Sequence, residues 1–375
     1  AASLNNLPRQ RRVWDEDQTG LMSTATWRAS DALTVDGGIQ LERQKNLYQR
    51  YRYAYAVPTQ FSNPTHTSND DRYTLNNVGV YAQAIFKATD KLKIIPGLRL
   101  DKFSGHTTIS PSGTNGALQD YGWIKQPKLS MVYSVNDATS VYANWGRTFQ
   151  ILTGSRAPAY ITSANQATFA PSINTGTELG VKYKPNPRTD LRVAVWQQDA
   201  TDEVANMPST GTNVSLGETR RKGIDLQAST RIGSDITLWA SHSVQEAKVR
   251  RAFTASGTSL AGKEVFSTPR HITNAGVDYQ ATEALRLGLQ ARAQGSYFID
   301  DLNAQGKFGD FVLLDFNARY ALTKAVSVDL QVKNLTNRKF AYVWWDNFFW
   351  PAGSAQPMYS PGAGRSAFVS LNVKW

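Results

Sequence analysis

The sequence predicts an all-β chain, and within that class a transmembrane antiparallel β-barrel with about sixteen strands, from three observations. Apolar and polar residues alternate with period two along most of the 375 residues. Short and long connections take turns between the alternating segments. The final strand runs onto an aromatic carboxyl terminus, Trp375.

That final strand is the clearest element. Val369, Leu371, Val373 and Trp375 fall on one face, and Ser370, Asn372 and Lys374 on the other. A terminal aromatic on the apolar side suits a membrane interface. The same alternation defines 78–87, where Val78, Val80, Ala82, Ala84 and Phe86 oppose Gly79, Tyr81 and Gln83. It recurs in 285–294 (Leu285, Leu287, Leu289, Ala291), in 312–320 (Val312, Leu314, Phe316, Ala318) and in 326–333 (Val326, Val328, Leu330, Val332). One face of each suits lipid and the other suits water or polar protein.

The connections sort by length. Tight turns are expected near Ser30-Asp31-Ala32, Thr89-Asp90-Lys91, Asn136-Asp137-Ala138, Asn186-Pro187-Arg188, Gly233-Ser234-Asp235, Ala281-Thr282-Glu283 and Leu322-Thr323-Lys324. Between them fall longer segments near 54–71, 104–121, 153–173, 205–213, 250–264, 300–309 and 343–363. An outer-membrane barrel has this asymmetry, with tight periplasmic turns and long extracellular loops, whereas a soluble sandwich has no reason for it.

Composition agrees. No apolar run is long enough to span a bilayer as a helix. The absence of cysteine removes thiolate ligands, iron–sulfur clusters and disulfides. A formal charge of +11 would suit nucleic acid in a soluble protein, but the basic residues are scattered along strands, so no nucleic-acid partner is expected. The same surplus is equally sensible around anionic lipopolysaccharide or an anionic substrate.

Several strands carry words that resemble the TonB-dependent outer-membrane receptor family. Asn77-Val78-Gly79-Val80-Tyr81-Ala82-Gln83 followed by Pro96-Gly97-Leu98-Arg99-Leu100-Asp101 is similar to that family's hairpin with a Gly-x-Arg-x-Asp element. Pro127-Lys128-Leu129-Ser130 through Ser140-Val141-Tyr142-Ala143-Asn144-Trp145-Gly146-Arg147 resembles the next hairpin, and Thr177-Glu178-Leu179-Gly180 the one after. Arg220-Arg221-Lys222-Gly223-Ile224-Asp225, Asn334-Leu335-Thr336-Asn337 and Pro361-Gly362-Ala363-Gly364-Arg365 continue the order to the carboxyl end. The chain departs from the family pattern in ending on Trp375 rather than Phe, and in Asn334-Leu335-Thr336-Asn337 where Asn-Leu-Phe-Asp is usual.

The resemblance implies a barrel of about twenty-two strands filled by an amino-terminal plug. Residues 1–375 are accordingly expected to be a single partial barrel domain with the plug absent, and Ala1-Ala2-Ser3-Leu4 does not resemble a signal peptide. The implied function is uptake of a ferric siderophore or similar scarce chelate at the outer membrane of a diderm bacterium. The implied partner is the TonB energy-coupling protein, acting through the missing plug. Other cargoes (cobalamin, a metal chelate, a glycan) and a passive sixteen-stranded porin are the alternatives, and a purely structural or adhesive barrel is a third class.

No catalytic set stands out, so no enzyme, cofactor or metal site is expected: His66, His106, His242 and His271 lack ligand spacing. The strongest binding signal is the segment from Tyr342 to Pro351, with six aromatics in nine positions. Trp344, Trp345, Phe348 and Trp350 are candidates for substrate capture, since rings supply rigid contact area, while an interfacial belt competes for Tyr342. Arg147, Arg156 and Tyr160 offer cationic and phenolic contacts to an anionic chelate, as do Arg43, Arg50 and Arg52, with lipopolysaccharide binding or solvation the competing role. Arg99, Asp101, Asp225, Arg286, Arg292, Asp315 and Arg319, together with Glu178, Lys182, Asp329 and Lys333, are expected to face the lumen, contacting a plug or setting pore selectivity.

Overall fold

The tight turns are built from their own side chains. Asn136 Oδ1 accepts the Ala138 N–H at 3.0 Å, and Asn186 Oδ1 accepts that of Arg188 at 2.9 Å. Hydroxyls of Ser30, Thr89, Thr282 and Thr323 accept backbone N–H groups in theirs, and Gly233 supplies a positive φ of 61°. All seven expected turns lie between strands.

A computed structural model describes residues 9–53, 66–109, 114–151, 170–207, 212–254, 257–346 and 356–374. The strands are β1 (Arg9–Arg28), β2 (Leu33–Tyr53), β3 (His66–Lys87), β4 (Leu92–Ile109), β5 (Thr114–Ala117), β6 (Ile124–Ser134), β7 (Thr139–Gln150), β8 (Ser172–Asn186), β9 (Thr189–Thr201), β10 (Val204–Met207) and β11 (Thr212–Ser215). They continue as β12 (Glu218–Ile232), β13 (Ile236–Arg251), β14 (His271–Gln280), β15 (Leu285–Gln294), β16 (Tyr297–Phe298), β17 (Lys307–Phe308), β18 (Phe311–Ala321), β19 (Val326–Lys333), β20 (Ala341–Asp346), β21 (Gln356–Pro361) and β22 (Ser366–Val373). Sixteen belong to one sheet, and β10/β11, β16/β17 and β20/β21 form three separate ribbons. Among the described residues there is no helix.

The chain divides into two compact units. The first comprises Ala1–Ala88, Ile94–Leu129 and Gly146–Ile173, with strand order β1-β2-β3-β4-β6-β7. Its strands are long: β1, β2 and β3 run 20, 21 and 22 residues, about twice what a tilted strand needs to cross a bilayer. β2 pairs with β1 on one side and β3 on the other along nearly its whole length, and a small core of Tyr73, Leu75 and Leu118 with Phe103, Tyr121 and Ile151 packs in this unit.

The second unit comprises Thr89–Lys93, Ser130–Trp145 and Asn174–Trp375, in the order β6-β7-β8-β9-β12-β13-β14-β15-β18-β19-β22. The registers fix its faces. Leu226 stands opposite Val193, Ile224 opposite Val195 and Val244, and Leu289 opposite Phe316 and Val277. These residues form an apolar face on which large side chains stay exposed, from Val244 at 37% to Val369 at 72%. An exposed apolar sheet face of this extent is what a lipid-facing wall presents. The opposite face carries Arg192, Asp225, Gln227, Ser241 and Ser243.

The longer connections differ from expectation in having structure of their own. β3 begins at His66 and β4 runs to Ile109, inside segments expected to be loops near 54–71 and 104–121. The 205–213 and 343–363 segments are flanked by the hairpin strands β10–β11 and β20–β21. The segment near 250–264 folds onto a cluster of Leu216, Ala247, Val249, Ala252, Leu260 and Val265, with Phe266 and Leu302 packed against it. Alternation that continues in polar residues beyond the apolar band reads as loop although the backbone still pairs.

Candidate functional site

The aromatic hairpin lies at the long-connection end of the second unit. β20 pairs with β21 with Val343 opposite Tyr359 and Trp344 opposite Met358. Alternation along β20 divides its rings. Ala341, Val343 and Trp345 face a cluster with Tyr297, Ile299 and Phe308, in which Ile299 is fully buried. Tyr342 and Trp344 lie on the other face, 41% and 38% exposed. The structure therefore separates two neighbours grouped by sequence: Trp345 is packed as an anchor and Trp344 is presented outward. Phe348 and Trp350 lie outside the described residues, as do Arg156 and Tyr160. Arg147, near the end of β7 in the first unit, is exposed.

The connections beside this hairpin are joined. Asn303, at a φ of 56°, accepts the Glu264 N–H at 2.7 Å and donates to the Glu264 carbonyl at 3.0 Å. The Glu264 carboxylate is held by Arg270 at 2.6 Å and Lys307 at 3.2 Å. Ser267 donates its N–H to Phe298 O at 2.8 Å. Glu203 anchors the β10–β11 ribbon in the same way: it accepts from both Arg221 Nη atoms at 2.9 and 2.7 Å and from Thr219 Oγ1 at 2.6 Å. Burial pushes its carboxyl up, but the Arg221 and Thr219 hydrogen bonds outweigh that and hold it below the ordinary glutamate value.

On the polar face of the first unit, Asp101 is 1% exposed and accepts four side-chain hydrogen bonds. Arg99 gives two at 2.7 Å, Gln126 one at 2.6 Å and Asn77 one at 3.1 Å, and Arg99 also reaches Gln40 at 2.9 Å. Gly79 makes room, since a Cβ there would stand 2.8 Å from Asp101 Oδ1. The expected polar-face residues of the second unit are dispersed. Asp225 accepts from Ser243 at 2.6 Å, Arg286 binds Asp278 at 3.1 Å, and Arg319 reaches Ser327 at 3.1 Å and Asp329 at 3.7 Å. Asp315 accepts the Asn334 N–H at 2.7 Å, and Arg292 lies 5.4 Å from the centre of the Phe311 ring. Glu178 binds Arg192, whose Nε donates to Tyr142 Oη at 2.8 Å, while Lys182 lies over the Tyr142 ring at 5.5 Å. Among the described residues no group of His, Asp and Glu is arranged to hold a metal.

The apolar face carries a groove of about 640 Å³. Leu179, Val195, Ile224 and Val244 line it together with Lys222, Glu246, Arg270 and His271. Glu246 is shared between Lys222 and Lys248 at 3.6 and 3.0 Å, while Arg270 is paired with Glu264 at 2.6 Å.

A sheet with one exposed apolar face and one hydrogen-bonded polar face, tight turns at one end and structured connections at the other defines a membrane-spanning β-protein of the outer-membrane kind. Residues 17–335 match the family described as TonB dependent receptor-like, beta-barrel, and the chain belongs to that family. It is 24% identical over 348 residues to the ferrichrome outer membrane transporter/phage receptor of Escherichia coli K12, covering 85% of this chain and 44% of that protein. It is 22% identical to the ferrioxamine B receptor of Salmonella typhimurium, covering 81% and 43%. The chain thus spans less than half the length of these curated relatives. The ferric citrate transporter FecA shares its fold with a TM-score of 0.79 at 19% identity, over 98% of this chain and 55% of that one. The siderophore receptor PiuA of Acinetobacter baumannii does so with 0.77 at 16% identity, over 97% and 56%. The family is one of receptors and transporters, not enzymes.

Proposed function

We propose that the protein containing this chain is an outer-membrane receptor that takes up a ferric siderophore or a similar metal chelate in a diderm bacterium. Family membership carries the proposal, and the relatives' names point to the cargo: ferrichrome, ferrioxamine B and metal-pseudopaline. Capture takes place at the long-connection end, which faces outside the cell. In the second unit Trp344 contributes ring surface, with Phe348 and Trp350 further along the same connection, and Trp345 anchors the hairpin; in the first unit Arg147, Arg156 and Tyr160 are separate candidates for cationic and phenolic contacts. TonB drives the uptake through the plug of the whole protein. Arg99 and Asp101 on the polar face of the first unit, and Asp225, Arg286, Arg292, Asp315 and Arg319 on that of the second, are the candidates for contact with that plug.

Membrane lipid and lipopolysaccharide are proposed partners of the apolar face. The groove between Leu179 and Val244 accepts acyl chains, and Lys222 at its margin, 3.6 Å from Glu246, suits a phosphate group.

The test is uptake of iron-labelled chelates by cells deleted for the whole protein and complemented with it. Complementation should restore uptake of one chelate class, and a protonophore should abolish it. Restored uptake that ignores the protonophore would replace the receptor with the passive porin, and no restored uptake of any ferric chelate would reject the cargo.

A further inference from the structure

The Tyr297 hydroxyl engages both backbone groups of a single residue. It accepts the Val343 N–H at 3.2 Å and donates to the Val343 carbonyl at 3.1 Å. Tyr297 and Val343 are 6% and 5% exposed, so neither backbone group has water as a substitute. In an antiparallel ribbon the N–H and C=O of one residue point to the same side, either toward the partner strand or away from it. At Val343 they point to Tyr297, away from β21. One phenol thus occupies the free edge of β20 where a third strand would otherwise pair.

The phenol is itself fixed. Gly309, at a φ of 86°, leaves space that any side chain would fill with a clash against the Tyr297 ring. Ile299, Phe308 and Trp345 pack around it. Through Asn303 and Glu264 the segment carrying Tyr297 is joined to the connection before β14.

We infer that Tyr297 is a positioning residue for ligand capture: its hydroxyl locks β20 so that Tyr342 and Trp344 stand as a preformed ring surface for the apolar or aromatic part of a chelate. The ligand half of this inference rests on the receptor reading above, whereas the locking half does not. A preformed surface loses less conformational entropy on binding, so loosening it weakens affinity mainly through faster dissociation.

The test uses the full-length protein with Tyr297→Phe, which keeps the ring and removes only the hydroxyl. Hydrogen exchange across 341–346 should accelerate by about tenfold or more, while 326–333 and 366–373 exchange as in the wild type. Dissociation of the ferric chelate that the wild type binds should accelerate by about tenfold, with association little changed. Unchanged exchange in 341–346 would overturn the lock. Faster exchange with unchanged dissociation would overturn the link to capture. A wild-type protein that binds no ferric chelate would sink the receptor reading and the ligand half with it, and the exchange result would still decide the lock.

Discussion

Trp239 covers Gly276, its direct cross-strand partner, so closely that a Cβ on the glycine would stand 2.6 Å from Cε2 and Cζ2 of the indole. The same relation joins Trp196 to Gly223 and Tyr81 to Gly38, each pair directly opposite in register. A large ring over a bare backbone pins the register of neighbouring strands, because a slip would drive the ring into a side chain.

Gly276→Ala should therefore destabilise the protein by about 1–3 kcal/mol, although alanine ordinarily costs a strand less than glycine. The double variant with Trp239→Ala should recover part of the loss. Urea unfolding of the purified protein measures both, and a Gly276→Ala midpoint equal to wild type would show that the ring is not confined.

Asp101 and Asp225 share the polar-face setting but differ in partners. Asp101→Asn removes the charge that faces Arg99 in a network with Gln126 and Asn77, and should cost about 3 kcal/mol. Asp225→Asn disturbs one hydroxyl hydrogen bond and should cost about 1 kcal/mol. Equal losses in unfolding would mean that the Asp101 network is no more than the sum of exposed contacts.

Glu203 gives the anchor of the β10–β11 ribbon a pH dependence. Its folded-state carboxyl lies below the ordinary glutamate value, so its contribution is present above that value and is lost as pH falls through the lowered one. Exchange at Leu216, whose N–H donates to Glu203 O at 2.6 Å, should accelerate in that acid window. Glu203→Gln should show the loosened behaviour already at neutral pH. An acid profile identical in both proteins would assign the change to another group.

The two tryptophans of β20 should respond differently. Trp344→Ala should weaken chelate binding by about tenfold while leaving thermal stability within about 0.5 kcal/mol. Trp345→Ala should lower stability by about 2–3 kcal/mol, because it empties a partly buried site beside Ile299. Reversed effects would mean that the packed ring, not the presented one, meets the ligand.

Much of the fold was legible in the sequence because a two-residue period is local. Val312, Leu314, Phe316 and Ala318 declare their face without knowledge of any partner, and Asn136 or Thr323 closes its turn within a few residues. The ribbons near 205–213 and 343–363 were not legible, because their pairing is polar or aromatic and lacks the apolar period. The division of Trp344 from Trp345 depends on Tyr297, some fifty positions away in sequence, and Tyr297 carries no signal beyond being a tyrosine. Gly-x-Arg-x-Asp placed Arg99 and Asp101 together, while Gln126 and Asn77, which complete the network, gave no sign of it. The dispersed charges from Asp225 to Arg319 share a face by period two, but nothing local says which of them pair.

Equilibrium binding to the full-length protein in isolated outer membranes tests capture of a metal chelate at the outer surface most directly. The prediction is saturable binding of one ferric siderophore at micromolar affinity or tighter, corresponding to about −8 kcal/mol or more, with the iron-free form weaker and Trp344→Ala impaired. Absence of saturable binding for any ferric chelate of hydroxamate, catecholate or carboxylate chemistry would contradict it.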